Sequence, residues 1–235
     1  MCGRYTFTKT DERELEKRFG IAEFRGMSLI PRFNIAPSQE VAAIVQQGGR
    51  NILKSLKWGL IPSWARDLKK TKPMINARIE TIAEKPFFKS ALKRRRCLIP
   101  ADGFFEWQES SQIGQKVFRI PNYIHLLDRG LFAFAGLWDR WTSPDGEVID
   151  TCSIITMPAN SFMEPIHNRM PAILTPDDES KWLDPAQIDV SNLLSLLHSS
   201  ADLQLTSYKV SRLVNSPRTD TADCILEQPN AAATL

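Results

Sequence analysis

At 235 residues, with 43% hydrophobic and 24% charged side chains, the chain has ordinary globular proportions and the length for one large domain or two small ones. Its four cysteines, Cys2, Cys97, Cys152 and Cys224, are widely scattered, with no C-x-x-C pair and no nearby histidine at metal-ligand spacing, which argues against a disulfide framework or a structural metal site. No apolar run reaches the length of a membrane span, and "KTDERELEKRFG" is charged where a signal peptide needs an apolar core. The expected setting is reduced and cytoplasmic, and a net charge of +3 permits a polyanionic partner without demanding one.

In chain order, "TKTDERELEKRF" at 8–19 predicts a short amphipathic helix, with Thr10 as N-cap, acidic residues in the first turn, Leu15 and Phe19 four apart, and Gly20 as the stop. "EVAAIVQQGGRNILKSLKW" reads as two strands joined by Gly48-Gly49, a hairpin signal. The proline-punctuated loop "WGLIPSWA" follows, then a helix within 80–95 that contains Pro86 and has a basic end. "CLIPADGFFEWQ", "QKVFRIP", "LFAFAGLWDRW" and "VIDTCSIITM" read as strands, with "SPDG" turning between the last two. Thr175-Pro176 caps a helix through Trp182, and "VSNLLSLLHS" suggests another. With no internal repeat and no linker between two cores, the chain reads as one α+β domain over residues 1–217. Its core is a curved, mostly antiparallel, barrel-like sheet with peripheral helices, and 218–235 form an irregular or loosely docked tail.

The chain opens "MCGRY". Removal of Met1 leaves Cys2 with a thiol and an α-amine two carbons apart, and that amine has a pKa near ~8 against ~10.4 for lysine. Such an amine attacks aldehydes to give a Schiff base, and the neighbouring thiol can close on the imine carbon as a five-membered thiazolidine. The alternative is a cysteine buried like most others.

Further stretches place polar groups where chemistry could use them. "INARIET" alternates Asn76, Arg78 and Glu80, which a strand would turn to one face; an ion-paired solvated edge gives the same pattern. "ADGFFEW" sets Glu106 between Phe105 and Trp107, where desolvation would raise a carboxyl pKa, unless the carboxylate simply alternates outward. "EPIHNRMP" holds His167 beside Asn168 and Arg169 between prolines. Trp58 and Trp64 in "WGLIPSWA" suit base stacking or a core. Asn34 and Pro37 in "RFNIAPSQ" are turn formers. The basic runs "KKTK" at 69–72 and "KRRR" at 93–96 fit a phosphate-tracking groove or plain solvated faces.

Taken in order, "MCGRY", "NIAPSQ", "WGLIPSWA", "INARIET", "RRRCLIPADGFFEW" and "IHNRMP" resemble the motifs of the SRAP family, the SOS-response-associated peptidases, from residue 2 to about Pro171 and more loosely to "YKVSRLVN". The resemblance implies a protein that binds single-stranded DNA and captures abasic sites through a covalent thiazolidine link from Cys2, shielding the lesion. It also implies peptidase activity, as removal of Met1, and a strand-scission (lyase) activity. By the same resemblance Cys2, Asn76, Glu106 and His167 are the catalytic residues: nucleophile, sugar holder, acid–base carboxyl and proton-transfer partner. Arg4, Arg78 and Arg169 match phosphate ligands, and Trp64 and Trp107 match aromatic walls. Lys85 stands in for a family arginine, and Asn168 occupies a position that is often aspartate. No cofactor or metal is implied. Replication-fork proteins are candidate partners, the chain is expected to be a monomer, and a bacterial member would associate with the nucleoid.

Two other functions use the same residues. A cysteine peptidase or N-terminal-nucleophile amidohydrolase would pair Cys2 with His167. A non-covalent single-strand binder would need only the arginines and tryptophans.

Overall fold

A computed structural model describes residues 2–68, 70–110, 118–198 and 203–228. In chain order these form β1 (Tyr5–Phe7), α1 (Glu12–Phe19), β2 (Ile21–Arg25), β3 (Arg32–Ile35), β4 (Glu40–Gln47), β5 (Arg50–Trp58) and β6 (Asn76–Arg78). There follow α2 (Pro86–Arg94), β7 (Arg96–Ala101), β8 (Gly103–Ser110), β9 (Phe118–Leu126), β10 (Phe132–Thr142) and β11 (Val148–Pro158). The last are β12 (Arg169–Pro171), β13 (Ile173–Leu174), α3 (Pro176–Leu183), α4 (Val190–Leu196) and β14 (Leu205–Lys209). Among the described residues, no helix is long and apolar enough to cross a membrane.

The β4–β5 hairpin turns on Gly48 and Gly49, both left-handed at φ 58° and 75°. That backbone follows the twist of the strands and favours glycine at both positions. From this hairpin the sheet runs β4–β7–β10–β11, and β11 returns to β5 through parallel pairing of Thr151 with Lys57 and Cys152 with Trp58. The result is a closed five-strand barrel, whose strands contribute the buried Ile44, Leu53, Leu98, Phe134 and Ile154 to the core. From Ile154 onward β11 takes further partners: β6 joins it in parallel at Asn76–Arg78, and β12 antiparallel at Arg169–Pro171.

The second sheet is antiparallel, in the order β14–β9–β8–β1–β3. Asp102 pins its centre by accepting from Thr6 Oγ1 (2.5 Å), Thr8 N (2.6 Å), Thr8 Oγ1 (2.6 Å) and Lys9 N (3.1 Å). Beside it, a Cβ on Gly103 would lie 2.2 Å from Tyr123 Oη, so only glycine lets that ring lie across the strand.

This is the α+β architecture expected, with local differences. The first helix is capped by Asp11, whose carboxylate accepts from Glu14 N at 2.9 Å, and not by Thr10; Gly20 closes it at φ 61°. Pro86 opens α2 instead of lying inside a helix, because proline in the first turn forfeits no internal hydrogen bond. Residues 218–228 dock closely: the Asp220 carboxylate accepts from Phe33 N (2.5 Å) and Asn34 N (2.8 Å) and pairs with Arg32, and Cys224 is buried. The beginning of "QKVFRIP" through residue 117, Lys69 of "KKTK" and the tail over 229–235 lie outside the described residues.

Candidate functional site

The site forms where the second sheet meets the far end of β11. Cys2, just ahead of β1, is fully buried (0% exposed), and its carbonyl accepts from Asn76 Nδ2 on β6 at 3.1 Å. Burial, with the nearby Glu106 charge adding to it, holds the thiol far above the usual cysteine range. Asn76 Oδ1 is buried without a hydrogen-bond partner among the described residues.

Glu106 sits on β8 at 2% exposure, and burial pushes its carboxyl up to about 7. The groups that surround it are not its neighbours in sequence. Successive strand residues face opposite sides, so Phe105 packs with Tyr123 in a separate cluster that Trp107 also joins. Glu106 shares its face with Phe104, whose ring meets Phe134 of the main core.

His167 ends a tight turn, its N–H bonded to Met163 O at 2.9 Å. Its Nδ1 lies 2.9 Å from Arg169 N and 3.2 Å from Arg169 O, so the Arg169 backbone holds that side of the ring. Nε2 lies 4.0 Å from Glu106 Oε2. Desolvation holds the imidazole below its ordinary pKa. Glu106, Trp107, Arg119, His167 and Asn168 line a cleft of about 500 Å³.

The five residues matched to DNA contacts differ in availability. Arg78 at the end of β6 is exposed. Trp64 is 59% exposed, its ring buttressed edge-on by Phe87 of α2 at 6.0 Å. Trp107 is half-buried, its Nε1–H held by Asn215 Oδ1 at 2.7 Å. Arg169 pairs with Glu80 and donates to Thr156 O at 2.7 Å. Arg4 donates to Asn34 Oδ1 (3.1 Å), Val214 O (2.6 Å) and Asn215 O (3.2 Å), binding the C-terminal segment to the site's own sheet.

The two readings of the tryptophans divide between them: Trp58 is core, with its Nε1–H on Ile75 O at 2.8 Å, while Trp64 is exposed. Two features depart from the sequence reading. The "KRRR" run is divided: Lys93 and Arg94 are exposed, Arg95 pairs with Asp139 at 3.0 Å, and Arg96 is buried against the carbonyls of Leu92, Trp182 and Asp184. Asn34 is a buried pin, donating to Val214 O (3.2 Å), Ser216 O (2.9 Å) and Thr219 O (2.7 Å). No local spacing in the sequence signals the loop clamp made by Asp139. Asp139 accepts from Ser63 N at 2.9 Å, while Trp141 Nε1 donates to Ala65 O at 2.6 Å. Among the described residues, no cluster of three or more His, Cys, Asp or Glu could hold a metal ion.

The sequence profile of the family described as SOS response associated peptidase (SRAP) matches residues 1–217. The chain belongs to the SRAP family. Among SRAP-related proteins, it is 44% identical over 227 residues to the abasic site processing protein YoqW of Bacillus subtilis, covering 96% of this chain and 99% of that one. It is 31% identical over 221 residues to the abasic site processing protein HMCES of Xenopus tropicalis, covering 83% of this chain and 65% of that one. A crystal structure of a Bacteroides thetaiotaomicron protein superposes with a TM-score of 0.80 at 27% identity, covering 97% of this SRAP chain and all of that one.

Proposed function

We propose that this protein processes abasic sites in single-stranded DNA by forming a covalent link from Cys2 once Met1 has been removed. The observation that carries the reading is that four separate segments bring these side chains into one chain of neighbours: Asn76 bonds to Cys2, Cys2 lies near Glu106, and Glu106 and His167 line one cleft. The relatives, named as abasic site processing proteins, point the same way.

An abasic deoxyribose opens to an aldehyde. The Cys2 amine attacks C1′, forming a C–N bond, and one amine proton passes to the carbonyl oxygen; the hydroxyl of the resulting carbinolamine takes a proton from Glu106 and leaves as water, giving an iminium that keeps its N–H. Cys2 Sγ then bonds to the iminium carbon as the thiol gives its proton to the Glu106 carboxylate, which restores the acid and leaves a neutral ring nitrogen. The net change is loss of one water. A carboxyl near pKa 7 serves both directions of proton transfer at neutral pH. Asn76 Oδ1 is the acceptor for a sugar hydroxyl, and His167, which lines the same cleft as Glu106, assists proton transfer at the deoxyribose. Arg78 meets a phosphate, and Trp64 and Trp107 flank the lesion. Arg4 and Arg169, engaged inside the protein, would meet phosphates through the donor capacity they retain.

The thiol's state weighs against the peptidase alternative. A cysteine peptidase needs a lowered thiol pKa beside a histidine, whereas burial and Glu106 raise this one. The deciding experiment incubates protein lacking Met1 with a single-stranded oligonucleotide carrying one abasic site, followed by a denaturing gel. A shifted band that disappears in Cys2→Ala and after acetylation of the Cys2 amine is expected. Equal bands in all three samples would overturn the reading.

A further inference from the structure

A second cleft, of about 540 Å³, lies beside the first, lined by Trp107, Phe118, Arg119, Arg212 and Asn215. Trp107 and Arg119 line both clefts, so they form the ridge between them. The indole is fixed there, because Asn215 Oδ1 takes its N–H. Phe118 is a large apolar side chain left 39% exposed, and the Arg212 guanidinium lies 6.0 Å from its ring centroid. Arg119 carries Glu109 as a counterion at 3.0 Å; Arg212 forms no ion pair among the described residues and is exposed. An exposed ring beside an uncompensated cation is the pairing that takes a base and its phosphate.

Resting on the abasic-site reading of the first cleft, we propose that this second cleft binds the nucleotide adjacent to the lesion. Its base stacks on Phe118, its phosphate meets Arg212, and the strand passes over Trp107 from one cleft to the other. The occupant is single-stranded DNA because the two clefts share the Trp107–Arg119 ridge, and the stacking contact tolerates any base.

The test measures crosslinking rate against DNA concentration for protein lacking Met1, for Phe118→Ala and for Arg212→Gln. The oligonucleotides are oligothymidylates with one abasic site placed centrally, at the 5′ end or at the 3′ end. With the central lesion, each substitution should raise the half-saturating DNA concentration about tenfold, the low part of the range for one stacked base. Arg212→Gln should also flatten the salt dependence of affinity by about 0.7 in log–log slope. The penalty should vanish when one flank is missing and persist when the other is. Unchanged half-saturation in both variants, a loss confined to the maximum rate, or the same penalty with every lesion position would overturn the assignment. If the parent protein formed no crosslink, the covalent reading would fail instead, and fluorescence anisotropy with lesion-free oligothymidylate would judge the cleft by the same tenfold criterion.

Discussion

His167 Nε2 stands 4.0 Å from Glu106 Oε2, with the ring's other nitrogen held at the Arg169 backbone. That separation exceeds a hydrogen bond, and both side chains line the same cleft. If Glu106 is the acid–base group, Glu106→Gln should slow crosslink formation and crosslink release alike, by about 10²–10⁴-fold, while single-strand affinity stays near that of the parent. Time courses of formation, and of release into excess competitor DNA, check this; wild-type rates in the variant would transfer the role to His167.

Glu106 also makes a stability prediction. Burial raises its folded-state pKa from an ordinary 4.5 to about 7, so between those values the folded protein holds a proton that the unfolded chain has lost. The contribution is fully present below about pH 4.5 and is lost as pH rises to about 7, a change of about 3 kcal/mol. Urea unfolding across this window should show that decline in the parent and its absence in Glu106→Gln. Parallel curves would remove the burial argument.

Imine formation needs only the amine, whereas ring closure needs the thiol. Cys2→Ser should therefore give an adduct that borohydride traps, yet lose most of the heat-stable product. A heat-stable crosslink at parental yield would exclude the thiazolidine.

Arg78 is exposed at the end of β6. Arg78→Ala should lower the log–log salt slope of single-strand binding by about 0.7, the contribution of one phosphate contact, and weaken binding for all sequences alike. Altered sequence preference with an unchanged slope would withdraw the phosphate assignment.

Asp139 holds the Trp64 loop through Ser63 N and holds the end of α2 through Arg95. Asp139→Ala should cost about 2–3 kcal/mol of stability, less than a fully buried pair because Arg95 is partly exposed, and should weaken single-strand binding as much as Trp64→Ala does. Asp139→Asn keeps an acceptor for Ser63 N and should restore binding more fully than stability. Parental binding in Asp139→Ala would show that the loop needs no clamp.

Much of the architecture was legible because its causes are local. Gly48-Gly49 specifies its hairpin through backbone conformation, Gly20 its helix end, and "SPDG" its turn, where Gly146 N reaches Ser143 O at 3.0 Å. Cap identity was less so: Thr10 and Asp11 are both good caps, and the local sequence does not choose between them. The docking of the C-terminal segment was not legible at all, because it hangs on Asn34, which meets three carbonyls more than 175 residues away in the chain.

What the sequence alone determined is the chemistry available at single residues: an amine and a thiol on Cys2 after loss of Met1, a carboxyl at Glu106, cations at Arg78 and Arg169. These are covalent facts, independent of packing. Only the tertiary structure decided which charges remain available and which groups meet. Arg95 and Arg96 are neighbours of the exposed Arg94, yet the first is paired with Asp139 and the second buried on carbonyls. Cys2 meets Asn76 across 74 residues, and Arg169 meets Glu80 across 89. Side-chain periodicity reports only which face a residue takes. The counterion, the burial that shifts a pKa, and the backbone that holds the His167 ring all belong to contacts made when β11 takes its further partners and the two sheets close.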